Sequence, residues 1–239
     1  MEPLRIRYSF RFGKDLQEVF DLQFDPQTMT ILNTNHHLKV EPPAWARLTF
    51  FQCCNCPLDE QEHPYCPIAL NLVSIVERFD TLFSYNETHM VVTTKERIIS
   101  QITTIQRAVS SMIGLIISAS GCPLTGFFKP MGRFHLPLSD GIETIFRAAS
   151  AYLLAQYFLH HEGKPIDFSL RGLQDIYHNI QTVNFTLANR LRATSKSDSV
   201  LNAIVELDVF AQTLSLVIED SLDELRPLFQ SYLSPPDPR

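Results

Sequence analysis

The hydrophobic period of this chain changes from two to about three and a half, and that change constrains the fold more than any other feature. Near the N-terminus, Leu4, Ile6, Tyr8, Phe10 and Phe12 alternate with Arg5, Arg7, Ser9 and Arg11. Period two gives a strand one buried and one wet face. The three arginines therefore read as a solvated face. Gly13-Lys14-Asp15 reads as a turn, and Phe20, Leu22 and Phe24 resume the alternation. A third short strand is expected over residues 28–32, and Pro42-Pro43 closes the unit.

Beyond Pro67 the spacing becomes helical. Pro67 suits a first helical turn, and Leu72, Val76, Phe79 and Phe83 follow it as a stripe. Residues 88–94 are rich in β-branched side chains and predict one more strand. Ile98, Ile102, Ile105, Val109, Met112 and Ile116 recur at spacings of four and three, which predicts a helix over 95–120. Such a seam suits a contact inside a bundle, or a homodimer. Asp140 and Glu143 have capping-box spacing and open a helix that ends at Gly163 and Pro165. Two more helices are expected over 169–191 and 200–225, with Asn184, Asn202 and Asp208 as a polar network on them.

The fold class is therefore α+β: a small N-terminal antiparallel β-meander attached to a mostly helical bundle of about five helices. Residues 1–230 read as one domain, made of a meander (1–50), a cysteine-rich loop (51–67) and a bundle (68–228), with a disordered tail over 231–239. The 239 residues are 45% hydrophobic, enough for a sizeable core, and only 19% charged, so several helices should be buried on most sides. A net charge of −6 argues against a nucleic-acid or anionic-membrane partner. No secretory pattern opens the chain and no stretch of about 18 apolar residues occurs, so a soluble, cytoplasmic protein is expected.

Four of the five cysteines lie in FQCCNCPLDEQEHPYCP, residues 51–67. In a reducing compartment they should not form disulfides. Cys53, Cys56, His63 and Cys66 form two pairs with the same two-residue gap. Two such turns can present four ligands to one tetrahedral Zn2+. Reduced buried thiols with no metal are an equal reading. An iron–sulfur cluster ranks below both. It would take Cys53, Cys56 and Cys66 with Cys122 as the fourth ligand, and three of these are followed by proline. A redox CxxC ranks last, because no βαβ unit surrounds it.

Several stretches carry a resemblance in combination: CNCPL (54–58), CPIALNL (66–72), SGCP (120–123), RFHLP (133–137), ETIFR (143–147), YLLAQY (152–157), NRLR (189–192) and NAIVELD (202–208). Together they resemble an uncharacterised bacterial family known only as a domain of unknown function. The resemblance spans nearly the whole chain. It implies a bacterial, single-domain protein and carries over no activity and no site residue.

No P-loop, GxGxxG, GxSxG or HExxH is present. The expectation is a cytoplasmic binding or regulatory protein with an unidentified protein or small-molecule partner, and with zinc joining sheet to bundle. The alternative is an enzyme. His135 and Arg133 fall in a proline-bounded loop before Glu143 and Arg147, which lie four apart on one helix face. His135, Glu143 and Arg147 could then act as base and anion clamp, although a cap and a surface ion pair account for Glu143 and Arg147 more simply.

Overall fold

Two halves of one sheet come from separate parts of the chain. The computed structural model describes residues 2–13, 16–33, 41–194 and 198–234, without the side chains of 215–217 and 219–221. Strands β1 (Leu4–Phe12) and β2 (Leu16–Phe24) form an antiparallel hairpin with Leu4 opposite Phe24. Helix α1 (Pro67–Phe79) follows, and then a second hairpin of β3 (Glu87–Thr93) and β4 (Ile98–Thr104). The sheet order is β2-β1-β3-β4, antiparallel throughout. As the alternation predicts, Ile6, Tyr8 and Phe10 are buried while Arg5, Arg7 and Arg11 face solvent. Phe10 meets Phe20 and Phe79 edge-on, with ring centroids 5.9 and 5.3 Å apart.

Two expectations are corrected here. Residues 28–32 form no strand; Ile31 makes one isolated bridge to Phe24. Asp25 accepts from the backbone N–H groups of Gln27 and Thr28 and turns the chain out of the sheet. The helix predicted over 95–120 begins only at Ile105, and residues 98–104 are β4. Ile98 and Ile102 are four apart, and four is a multiple of two as well as a helical spacing. The β-branched run Ile98, Ile99, Ile102, Thr103, Thr104 favours the strand. On it Ile98 and Ile102 are 68% and 67% exposed, whereas a helical seam would bury them.

The remaining helices are α2 (Ile105–Ala119), α3 (Lys129–Arg133), α4 (Gly141–His161), α5 (Arg171–Arg192), α6 (Ser199–Leu225) and α7 (Gln230–Leu233), with a short 3-10 helix at Pro123–Phe128. Ile105, Val109, Met112 and Ile116 of α2 are all fully buried, so this part of the seam serves the chain's own core. One core joins the sheet to α1, α2, and parts of α5 and α6. A second joins α4 to the first half of α5 and the second half of α6. Asp140 caps α4 with both bonds of the capping box. The α1 stripe ends at Phe79, and Phe83 is exposed beyond it. Residues 14–15 of the expected turn, 195–197 of the last interhelical loop, and 235–239 of the tail lie outside the described residues. Among the described residues no single helix is long and apolar enough to cross a membrane.

Candidate functional site

Helix α5 walls two cavities of different character. The smaller, about 20 Å3, is lined by Cys53, Cys56, Cys66 and Cys122 together with Thr186 and Arg190. Each cysteine is fixed by local backbone structure. The Cys56 N–H donates to the Cys53 carbonyl at 3.0 Å, closing a tight turn. Arg47 bridges to Tyr65, and the Cys66 N–H donates to the Ala46 carbonyl at 2.9 Å, which pins the far end of the loop. Cys66 then serves as N-cap of α1, with Pro67 in its first turn. Cys122 occupies the equivalent position before Pro123, and the N–H groups of Leu124 and Thr125 reach its thiol. Three separated segments thus deliver four thiols to one hollow.

All five cysteines are free, and Cys54 is exposed. Burial pushes the Cys53 thiol up to about 11, against a hydrogen bond from Thr186. Cys66, Cys56 and Cys122 lie close enough to add to that effect. Among the described residues, no three His, Cys, Asp or Glu side chains converge tightly enough to hold a single metal ion. His63 is exposed and does not line the cavity. The structure therefore gathers Cys53, Cys56 and Cys66, adds Cys122, and leaves His63 apart.

Arg190 supplies the charge of this site. It is 1% exposed. Its guanidinium donates to the carbonyls of Trp45 and Arg47, both at 2.7 Å, and of Leu48 at 2.9 Å. Its Nε–H has no partner among the described residues. Among the described residues no carboxylate acts on it; burial lowers its pKa, and Cys66, Cys53 and Cys56 oppose that. A buried cation without a counter-ion is costly. Deprotonated thiolates are the one anionic partner the cavity can offer. Arg190 looks from the sequence like an ordinary cation at a helix C-terminus. The available signal is its place on the buried stripe of Val183, Leu187 and Leu191.

The second cavity holds about 500 Å3 between α2, α4, α5 and α6. Small residues Ser110, Gly114 and Ser118, four apart on α2, leave this room. His135 and Arg147 both line it. The His135 Nε2 meets the Tyr8 hydroxyl in a short hydrogen bond, and Tyr8 also lies 3.3 Å from Ser111. Burial, and then the Arg147 charge, lower the imidazole pKa to about 3, so His135 is neutral. Arg147 donates to the carbonyls of Met131 at 2.6 Å and Phe134 at 3.0 Å. Glu143 is exposed, does not line the cavity, and is engaged in the cap of α4. The predicted trio is thus divided: two members in the cavity, one outside. Asn184 and Glu206 also line the cavity. The Asn184 Nδ2 and Glu206 Oε2 are buried and have no hydrogen-bond partner among the described residues.

No curated protein and no solved structure matches the chain. A family model for a domain of unknown function, DUF6901, matches residues 6–230. That span takes in the first hairpin apart from the first two residues of β1, the second hairpin, all four clustered cysteines and Arg190. The chain belongs to the DUF6901 family.

Proposed function

We propose that this is a cytoplasmic binding or regulatory protein whose fold is clipped together by an iron–sulfur cluster on Cys53, Cys56, Cys66 and Cys122. The observation that carries this reading is the meeting of four thiols from three segments around one hollow beside a buried, uncompensated Arg190. Four cysteines are the ligand set such clusters use. A single zinc ion bonds sulfur at about 2.3 Å, so its ligands crowd into mutual contact. Here four cysteines border a hollow of about 20 Å3, room for about one water, so a cluster core would have to push the cysteine segments apart as it binds. The all-cysteine ligand set, with His63 left outside, is what supports the cluster over zinc. The cluster with four thiolates is an anion, and the Arg190 guanidinium with its free Nε–H complements it. The N–H groups at Cys122 would stabilise thiolate sulfur in the same way. Metal binding would then stabilise the fold directly, because it ties the loop, the start of α1 and the segment after α2 to one another, with Arg190 of α5 alongside.

The test is iron, acid-labile sulfide and zinc analysis, with a visible spectrum, on anaerobically purified protein. Iron and sulfide in equal amounts with a broad visible absorbance support the reading. One zinc per chain with no visible band, or no metal after reconstitution with iron and sulfide, overturns it.

A further inference from the structure

We infer that the large cavity is a binding site for an apolar molecule ending in a carboxamide-like group, with Asn184 and Glu206 as its recognition residues. Its volume, about 500 Å3, lies in the range of small-molecule sites. Most of the wall is apolar, including Leu115, Phe128, Met131, Ile180 and Phe210. That wall suits a hydrocarbon or aromatic body.

The polar groups select the head. Asn184 is 2% exposed, and its Nδ2 donor has no partner among the described residues. Leaving such a donor unpaired costs roughly 1–3 kcal/mol. The Glu206 Oε2 is an acceptor in the same condition. A carboxamide carries the two complementary groups, a carbonyl to accept from Asn184 and an N–H to donate to Glu206, and both residues line the same cavity. A carboxylate head fits poorly. His135 is neutral, Arg147 Nη2 is engaged with two carbonyls, and the exposed Arg107 acts on Glu206, partly offsetting the burial that raises the Glu206 pKa. Glu206, which lines the same cavity, would repel an acid. The proposal is independent of the cysteine cavity and of what occupies it.

The test is competition against 1-aminoanthracene, a neutral apolar fluorophore, on the full chain. The probes are decanamide, decylamine and decanoate, which share a chain and differ in head group. The expected result is one fluorophore per chain, displaced by decanamide at a concentration at least tenfold lower than by either other probe. Glu206→Gln and Asn184→Leu each weaken decanamide at least tenfold. Asn184→Leu should also raise the Tm of the ligand-free protein by about 2–4 °C, because it removes an unpaired buried donor. A residue with only a structural role would lower it. The proposal is overturned by no fluorophore binding to folded protein, by tighter binding of decanoate or decylamine than of decanamide, or by variants that leave decanamide unaffected.

Discussion

The two cavities share helix α5 and differ in how they use a buried cation. Arg190 lies beside four thiols and has an unmatched charge; Arg147 lies beside a neutral histidine and caps two carbonyls. Arg190 is 1% exposed, and its third nitrogen is left without a partner. One cavity is small and lined by cysteines, and under the proposed reading it takes an inorganic anion. The other is large and mostly apolar, and under the proposed reading it takes an organic guest. The difference teaches that a buried arginine alone does not define an anion site. Both arginines donate to backbone carbonyls. What differs is that Arg190 keeps a buried Nε–H without a partner among the described residues and is bordered by thiols, which can become anionic.

Removing each arginine should separate these roles. Arg190→Ala removes the Arg190 donor from the buried carbonyls of Trp45 and Leu48, leaves the Arg47 carbonyl with the Phe50 N–H alone, and removes the positive charge beside the cysteine cavity. A loss of about 3 kcal/mol or more is expected in urea denaturation, together with loss of bound metal. Arg147→Ala should cost less, about 1–2 kcal/mol, and leave metal content unchanged. Equal effects of the two substitutions on metal content would erase the comparison.

His135 sharpens the second cavity. The groups acting on it are Tyr8 on β1 and Arg147 on α4; Ser111 on α2 meets Tyr8 in turn, and Tyr177 on α5 acts on Arg147. Its folded pKa lies below the ordinary value, so its neutral form is the one the fold favours. Stability should be full above about pH 6.5 and fall as the pH drops towards 3, because only the unfolded chain takes up the proton. Between pH 7 and pH 5 the loss attributable to this group is about 2 kcal/mol. Urea midpoints for wild-type and His135→Gln check it; a wild-type slope that survives the substitution contradicts it.

Two smaller effects test the boundary between sheet and bundle. Asp140→Ala should cost about 1 kcal/mol by removing the α4 cap, read as a shift in denaturation midpoint without loss of ligand binding. Ile98→Thr and Ile102→Thr should each change stability by less than about 0.5 kcal/mol, since both face solvent on β4. A large loss would restore the helical seam over these residues.

The first hairpin, the cap at Asp140 and helices α4 to α6 were legible because each carries a periodic stripe and a stop signal. Ile98 to Thr104 was not, because a spacing of four serves both periods and only the partner strand β3 decides. In the cysteine segment the ligand types were legible and the grouping was not. His63 shares a two-residue gap with Cys66, yet it faces solvent, while Cys122, fifty-six residues after Cys66, lies in the cavity. Sequence spacing reports what one turn can gather. It does not report what a helix packing across that turn will bring, and Arg190 and Thr186 arrive in that way on α5. The roles of Asn184 and Glu206 depend likewise on an empty volume, which the small residues of α2 create without marking it.

The most direct test of the central claim compares metal content in wild-type, Cys122→Ser and His63→Gln protein, purified anaerobically side by side. The four-thiolate account predicts that Cys122→Ser loses most of its iron while His63→Gln keeps the wild-type amount. Retention by Cys122→Ser together with loss by His63→Gln would contradict it and return the centre to the loop alone.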